Sequence, residues 1–172
     1  MKFLCLAFFS FAFTQATELG KLSLLNDKIE LLAPKEFRQM TQQMLDIKYP
    51  HTQNRPTFVL TNEDATINIA FNHLPNPADE SVIESYKDNI KSSYQKSFPS
   101  ASWKGDGVMT VNGKKVGYLK LLTDAKDQRV YNYIFLTDID GKLLIGTFNC
   151  IEKLLPEWEA VAEQIVKSLK AK

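Results

Sequence analysis

Residues that build metal centres and nucleophilic active sites are scarce in this sequence, which has two cysteines and two histidines among 172 residues. Cys5 lies in an apolar N-terminal run, so Cys150 is the one cysteine expected in the mature chain. A lone cysteine cannot form an internal disulfide, and its position at the end of an apolar segment indicates a small buried hydrophobe. The sequence also has no Gly-x-Ser-x-Gly motif, no glycine-rich phosphate loop and no complete calcium-binding loop. We therefore expect no cofactor, no metal ion and no catalytic residues.

A surplus of charge of either sign is absent as well. The chain has 21 basic and 20 acidic residues, which gives a formal net charge of +1. Its only basic doublet is Lys114-Lys115, beside a predicted hairpin turn, where lysine commonly protects an exposed position. Binding of nucleic acid requires a basic surface that displaces counterions from phosphates, so nucleic acid is not expected as a partner.

The N-terminal apolar run is too short to span a membrane. Lys2 is followed by eleven mostly apolar residues, whereas a spanning helix needs about 20. A basic start, an apolar run and the small residue Ala16 predict a secretory signal peptide over residues 1–16. The mature protein is therefore expected to be periplasmic or secreted, without stable membrane insertion. Residues 17–27 are predicted to be a short leader, and residues 28–172 a single globular domain.

Two pairs of turn residues dominate the second half of the chain. Asn112-Gly113 and Asp140-Gly141 each separate two runs of alternating apolar residues. Such pairs favour the type I′ turn of a β-hairpin, because both of its central residues need positive φ. The segment 102–150 is therefore predicted to form a four-stranded antiparallel meander.

The remaining elements are predicted from hydrophobic periodicity and from turn and capping residues. Strands are expected over 28–32, 57–61 and 66–73. Helices are expected over 41–48 with Thr41 as N-cap, from either Asn76-Pro77 or the capping-box segment Ser81–Glu84 to Phe98, and over 157–170. The meander strands carry apolar residues on both faces, so helices must cover both sides of the sheet. The predicted fold class is α+β, a three-layer α/β/α sandwich around one mainly antiparallel sheet of about six to seven strands.

The order of these elements resembles the PsbP-like fold over residues 28–170. The resemblance is carried by the segment 31–37, Leu-Leu-Ala-Pro-Lys-Glu-Phe, where relatives often have Pro-x-Gly followed by Phe or Trp; here Glu36 replaces the glycine. The group includes the extrinsic photosystem II proteins, a Ran-binding nuclear import factor of yeast and small exported bacterial proteins of the DcrB type. The resemblance implies a fold used mainly as a non-catalytic interaction module, and it assigns no functional residue.

Two surfaces of the predicted fold are candidates for binding. The first joins the proline-flanked loop 49–56 to the turn that follows it, and its candidate partner-binding residues are Tyr49, His51, Arg55, Asn62 and Glu63. The second is an aromatic stripe on the meander, which either lies in the core beneath a helix or lines a ligand groove. The residues of this aromatic stripe are Tyr118, Tyr131, Tyr133 and Phe148.

These observations favour an exported, non-enzymatic binding or accessory protein of the bacterial envelope that acts by docking to a protein partner. A carrier of a small amphipathic ligand, held in a groove between the sheet and a helix, is the first alternative and depends on the aromatic stripe. A cofactor-free enzyme is the second alternative.

Overall fold

A computed structural model describes residues 17–52 and 55–171, so the predicted signal peptide lies outside the described residues. In chain order the elements are β1 (Leu19–Leu24), β2 (Ile29–Pro34), β3 (Arg38–Gln39), α1 (Gln42–Lys48), β4 (Phe58–Thr61), β5 (Ile67–Pro77), α2 (Ile83–Ser97), β6 (Ser102–Val111), β7 (Lys114–Asp124), β8 (Arg129–Ile139), β9 (Lys142–Ile151), a 3-10 turn (Glu152–Leu154), α3 (Leu155–Lys167) and β10 (Lys170–Ala171). None of the helices in these ranges is long and apolar enough to cross a membrane.

Seven strands form one antiparallel sheet in the order β3-β4-β5-β9-β8-β7-β6. Its last four strands are the meander predicted from the sequence. The two hairpin turns have the expected backbone, with φ of 47° at Asn112 and 86° at Gly113, and of 52° at Asp140 and 70° at Gly141. Positive φ at both central residues matches the twist of the flanking strands. The meander is therefore confirmed.

Helices cover both faces of this sheet, as its apolar residues predicted. On one side, here called the α3 face, α3 packs against β8 and β9 and is joined by a small sheet in the order β1-β2-β10. On the other side, the α1/α2 face, α2 packs against β7 and β8, and α1 packs against β4 and β5. The predicted α+β class with three layers is confirmed. The small sheet β1-β2-β10 forms part of the outer layer on the α3 face.

The residues predicted to be a leader are part of the fold. Leu19–Leu24 form β1, which pairs with β2 along its whole length. Leu22 and Leu24 also pack against the main core. The segment 17–27, predicted to be a short leader outside the globular domain, therefore contributes a strand to the fold. The alternating leucines give the segment one apolar side, and β2 offers backbone groups that need hydrogen-bond partners.

The start of α2 lies close to the later of its two predicted starts, the segment Ser81–Glu84, and the earlier one is wrong. Asn76 and Pro77 do not open this helix, because β5 continues to Pro77 and α2 begins at Ile83. The pairing of β5 with β9 is irregular between His73 and Pro77. At such an irregularity a proline is tolerated, since no ladder hydrogen bond is required from it. Thr41, in contrast, caps α1 as predicted.

Candidate functional site

The aromatic stripe predicted on the meander lies on the α3 face, and most of it is closed to solvent. Tyr131, Tyr133 and Phe148 are buried. Trp158 of α3 stacks over Phe148, with ring centroids 6.2 Å apart and an interplanar angle of 21°. The apolar side of α3 fills the space above the stripe, so these three residues belong to the core.

Tyr118 lies at the half-buried margin of the stripe. Its ring meets that of Tyr133 edge-on, with centroids 6.2 Å apart. The Lys120 ammonium lies 5.6 Å from the centroid of the Tyr118 ring and 4.6 Å from that of Tyr133, and it forms an ion pair with Glu163 of α3. These contacts occupy the space beside Tyr118 at the margin of the stripe. Among the described residues, the stripe therefore does not line the open groove that a carrier was predicted to have.

The loop residues predicted to bind a partner lie beside the end of α1, where Arg55 is held by the protein itself. Its Nε and Nη2 donate hydrogen bonds to the Tyr49 carbonyl oxygen at 3.2 and 2.9 Å, and its Nη1 lies 2.8 Å from the Asp46 carboxylate. The Tyr49 side chain packs against the cluster beneath α1, and burial raises the pKa of its hydroxyl. His51 is exposed. Arg55 thus fixes the end of α1, and its charge is already paired.

Asn62 and Glu63 occupy the turn between β4 and β5, and their roles differ. The side-chain oxygen of Asn62 accepts hydrogen bonds from the backbone N–H groups of Thr66 and Ile67, both at 3.0 Å. Its amide nitrogen donates to the Thr66 hydroxyl at 2.9 Å, so Asn62 closes the turn. Glu63 is exposed, and its carboxylate forms no ion pair or hydrogen bond within residues 17–52 and 55–171.

A cleft of about 510 Å³ lies beside this turn, at the β3 edge of the large sheet. One wall is the chain from β3 into α1, and the other is the β4–β5 turn. The lining residues are Glu36, Arg38, Gln39, Thr41, Met44, Thr61, Asn62 and Glu63. The cleft thus joins two of the residues predicted for partner binding, Asn62 and Glu63, to residues that the sequence analysis did not select.

Several charged side chains around the cleft have no partner among the described residues. Glu36, Arg38 and Glu63 are exposed, and none of them forms an ion pair or a side-chain hydrogen bond within the described part of the chain. Ile47, three residues after the cleft-lining Met44, is 77% exposed. Arginine and methionine, here Arg38 and Met44, are enriched in protein–protein interfaces, and a polar rim around an apolar centre is common there.

A row of polar side chains runs from the cleft across the α1/α2 face. Thr61, Asn68, Asn149 and Asn132 stand opposite one another on the adjacent strands β4, β5, β9 and β8. The Asn68 amide nitrogen donates to the side-chain oxygen of Asn149 at 2.9 Å. The side-chain oxygen of Asn68 is buried and has no hydrogen-bond partner within residues 17–52 and 55–171. Thr61 and Asn68 are buried, and Asn149 and Asn132 are half-buried. The accessible part of the row is therefore its Asn149 and Asn132 half, away from the cleft.

Metal-binding side chains are not gathered in the described ranges. No group of three or more His, Cys, Asp or Glu side chains there is arranged to hold a metal ion. Cys150 is a free, buried thiol on β9. Burial raises its pKa to about 12, so the thiol stays protonated at neutral pH. The cleft offers recognition by shape, charge and hydrogen bonding.

No protein-family model and no curated protein matches the sequence, but solved structures are similar to it. The cyanobacterial PsbP protein (CyanoP) of Synechocystis sp. PCC 6803 aligns over 95% of this chain and 98% of its own, with 12% identity and a TM-score of 0.65. LpqN, involved in cell envelope biogenesis of Mycobacterium tuberculosis, aligns over 89% of this chain and 90% of its own, with 12% identity and a TM-score of 0.55. A protein of Bacteroides thetaiotaomicron aligns over 88% of this chain and 48% of its own, with 12% identity and a TM-score of 0.57.

These similarities concern the fold. At 12% identity they do not match functional residues of one protein to those of another. The chain has the PsbP-like fold, which confirms at the level of architecture the resemblance drawn from the order of its elements.

Proposed function

We propose that this chain is an exported, non-enzymatic accessory protein of the bacterial cell envelope that acts by docking to a protein partner. Its fold is shared with LpqN, a protein involved in cell envelope biogenesis, and this supports an envelope-associated role. The apolar run within residues 1–16 supports export. The cleft at the β3 edge is the proposed docking site.

The observation that carries this proposal is the set of unpaired charges around the cleft. An exposed charge is either paired with another group of the same protein or available to a charge on a second protein. Glu36, Arg38 and Glu63 line one cleft and have no such partner within the described residues. A second protein can place complementary charges opposite all three, and such complementarity steers association and fixes the register of the complex.

Apolar side chains beside these charges are the second feature that supports binding of a protein partner. α1 has no buried residue, so much of its surface remains available to a partner. Met44 lines the cleft and Ile47 is largely exposed. Covering apolar surface of this kind contributes about 25 cal/mol per Å². An apolar centre with a charged rim is the usual composition of a protein–protein interface.

Site-specific photo-cross-linking in cells that make the protein tests the docking site. A photoreactive amino acid in place of Glu63 is expected to give a cross-link to one discrete protein. The same amino acid in place of Glu157, an exposed glutamate of α3 on the opposite face, is expected to give none. The cross-linked protein is then purified, and its affinity for the chain is measured directly.

Charge reversal separates specific docking from general attraction. Arg38→Glu is expected to weaken binding of the purified partner at least about tenfold, since it turns an attraction into a repulsion. Lys104→Glu makes the same change of charge at an exposed position on β6 at the far edge of the sheet, and it should leave the affinity within about twofold. Equal cross-linking from Glu63 and Glu157, or an affinity indifferent to Arg38→Glu, would contradict docking at the cleft.

A further inference from the structure

A second cavity, of about 190 Å³, lies on the α3 side of the sheet, away from the cleft. It is bounded by the β1–β2 hairpin on one side and by β4, β5 and β9 on the other. The lining residues are Leu24, Leu25, Ile29, Thr57, Phe58, Phe71, His73 and Leu144. Only Thr57 and His73 among them have side chains that form hydrogen bonds. The cavity is therefore apolar, with a small number of polar groups in its wall.

The tip of the hairpin beside this cavity has an unusual backbone. Leu25, Asn26 and Asp27 all have positive φ, of 53°, 55° and 65°. Asn and Asp tolerate the left-handed region because a short polar side chain can hydrogen-bond locally, and Asp27 accepts such a bond from the Ser23 hydroxyl. Leucine rarely adopts this conformation. The Leu25 side chain lines the cavity, and backbone outliers of this kind concentrate at ligand clamps and switch segments.

The hairpin tip is tethered to the far side of the cavity by one weak contact. Lys28, next to the tip, forms an ion pair with Asp140 in the β8–β9 turn, and both side chains are about half exposed. Exposed ion pairs of this kind contribute little to stability. The position of the tip over the cavity therefore depends mainly on the apolar contacts of Leu24 and Leu25.

The geometry points to a binding site for a phenol, a single aromatic ring that carries one hydroxyl group. An apolar cavity of about 150 Å³ accepts benzene, and the cavity described here, at about 190 Å³, has room for the ring and a small substituent. The walls supply Phe58 and Phe71 for contact with the ring. Aromatic pairs of this kind are favourable beyond the area that they bury.

His73 specifies a hydroxyl group on that ring. Its Nε2 lies 3.4 Å from the carbonyl oxygen of Ile139. In the tautomer that donates from Nε2 to this carbonyl, Nδ1 is the hydrogen-bond acceptor of the ring. An acceptor next to an apolar cavity suits the O–H group of a phenol, whereas it would repel a carboxylate.

This site does not rest on the proposed docking function. The cavity and the cleft lie on opposite faces of the large sheet and have no lining residue in common. The site also differs from the groove between sheet and helix that the aromatic stripe predicted, because the phenol would lie between two sheets. Failure of either proposal leaves the other standing.

Binding of p-cresol to the whole protein, followed by methyl NMR, tests the site. Saturable shifts are expected for the cavity methyl groups of Leu24, Leu25, Ile29 and Leu144. Toluene, the same molecule without the hydroxyl, should bind about fivefold more weakly. In His73→Leu, p-cresol and toluene should bind alike. Equal affinity for the two probes in the wild type would overturn the role assigned to His73.

Cavity-filling substitutions supply the matched control. Leu24→Trp should weaken p-cresol binding at least about tenfold. Leu22→Trp, the same change two residues earlier on β1 and outside the lining, should leave it within about twofold. Thr57→Trp fills the cavity from the opposite wall, and circular dichroism identifies the variants that are folded. No saturable shifts in the wild type, or full p-cresol binding by a folded Leu24→Trp or Thr57→Trp protein, would overturn the site.

Discussion

Replacement of Gly146 by alanine is expected to destabilise the protein strongly. Gly146 lies in β9 directly between Phe71 of β5 and Phe135 of β8. A methyl group on Gly146 would lie 2.1, 2.3 and 2.7 Å from three ring carbons of Phe135, well inside the separation of about 3.5–4.0 Å that non-bonded carbons prefer. The ring has little freedom to retreat, because Phe135 is fully buried and meets the Phe71 ring edge-on at 6.0 Å.

The size of the effect follows from this contact. The Phe135 ring would have to move by more than about 1 Å to restore a normal separation from the new methyl group. Overpacking of a closed core costs about 1–3 kcal/mol and occasionally more. Because the clash involves three atoms of a fully buried ring, we expect the upper end, about 3 kcal/mol. For a domain of this size that loss corresponds to a fall in Tm of about 6–12 °C.

Urea unfolding monitored by tryptophan fluorescence measures this loss. Gly20→Ala is the matched control, since the nearest atoms to its new methyl group belong to the flexible, half-exposed Lys35 side chain at 3.0 Å; we expect a change within about 0.5 kcal/mol. Adding Phe135→Leu to Gly146→Ala should recover part of the stability. Wild-type stability in Gly146→Ala, or a double variant that loses the sum of both single effects, would refute the steric argument.

Two further substitutions test buried polar groups by the same unfolding assay. Tyr131→Phe should leave the free energy of unfolding unchanged or raise it by up to about 1 kcal/mol, because the Tyr131 hydroxyl is buried and has no hydrogen-bond partner among the described residues. A free energy of unfolding that falls by about 1 kcal/mol would instead show that the hydroxyl forms a hydrogen bond in the folded protein. Asp106→Asn should cost about 1–2 kcal/mol at pH 7, because the Asp106 carboxylate accepts a hydrogen bond from Lys91 at 2.7 Å and pairs with the buried Lys87 at 3.4 Å. These partners, Lys91 above all, lower the pKa of Asp106, so its contribution is present above the ordinary carboxyl pKa and is lost as the pH falls through the lower folded value. The stabilities of wild type and Asp106→Asn should therefore converge in acid, and a constant difference down to low pH would contradict this account.

The parts of the fold that depend on local preference were predictable. Asn112-Gly113 and Asp140-Gly141 specify their hairpins because those residues tolerate positive φ. The ends of elements that depend on contacts with distant parts of the chain were not predictable. β5 reaches Pro77 and is followed by a hydrogen bond of 2.9 Å from the Ala78 N–H to the Gly141 carbonyl, a partner supplied by another hairpin. β1 likewise depends on pairing with β2.

The candidate site was less predictable, because it forms where separate segments meet. Glu63 was selected from its place in an exposed turn, but Arg38 reaches the same cleft through the pairing of β3 with β4, in which it stands opposite Thr61. Arg55 shows the reverse case. An arginine in a proline-flanked loop looks available to a partner, yet its guanidinium contacts the Tyr49 carbonyl and Asp46. Sequence identifies the charge, and only tertiary structure shows whether it is already paired.

The row of asparagines leaves a recognisable pattern in the sequence. Asn68, Asn132 and Asn149 each interrupt an apolar strand at a position that faces the α1/α2 side. A polar residue at such a position calls for a hydrogen-bond partner, and three of them in one sheet suggest that they meet. Their alignment depends on the register of β5 with β9, two strands far apart in the sequence, and register over such a separation is not specified by local pattern.

Both proposed sites lie at the same edge of the large sheet, and this explains why the strongest sequence patterns did not reveal them. Thr61 of β4 lines the cleft on one face, and Phe58 of the same strand lines the cavity on the other. β3 and β4 have two and four residues, whereas each meander strand has 10 or 11. Long paired strands leave tightly packed faces, while short strands and their connections leave space between segments. The meander and its aromatic stripe therefore form the scaffold, and β4 is the element whose surroundings hold both proposed sites.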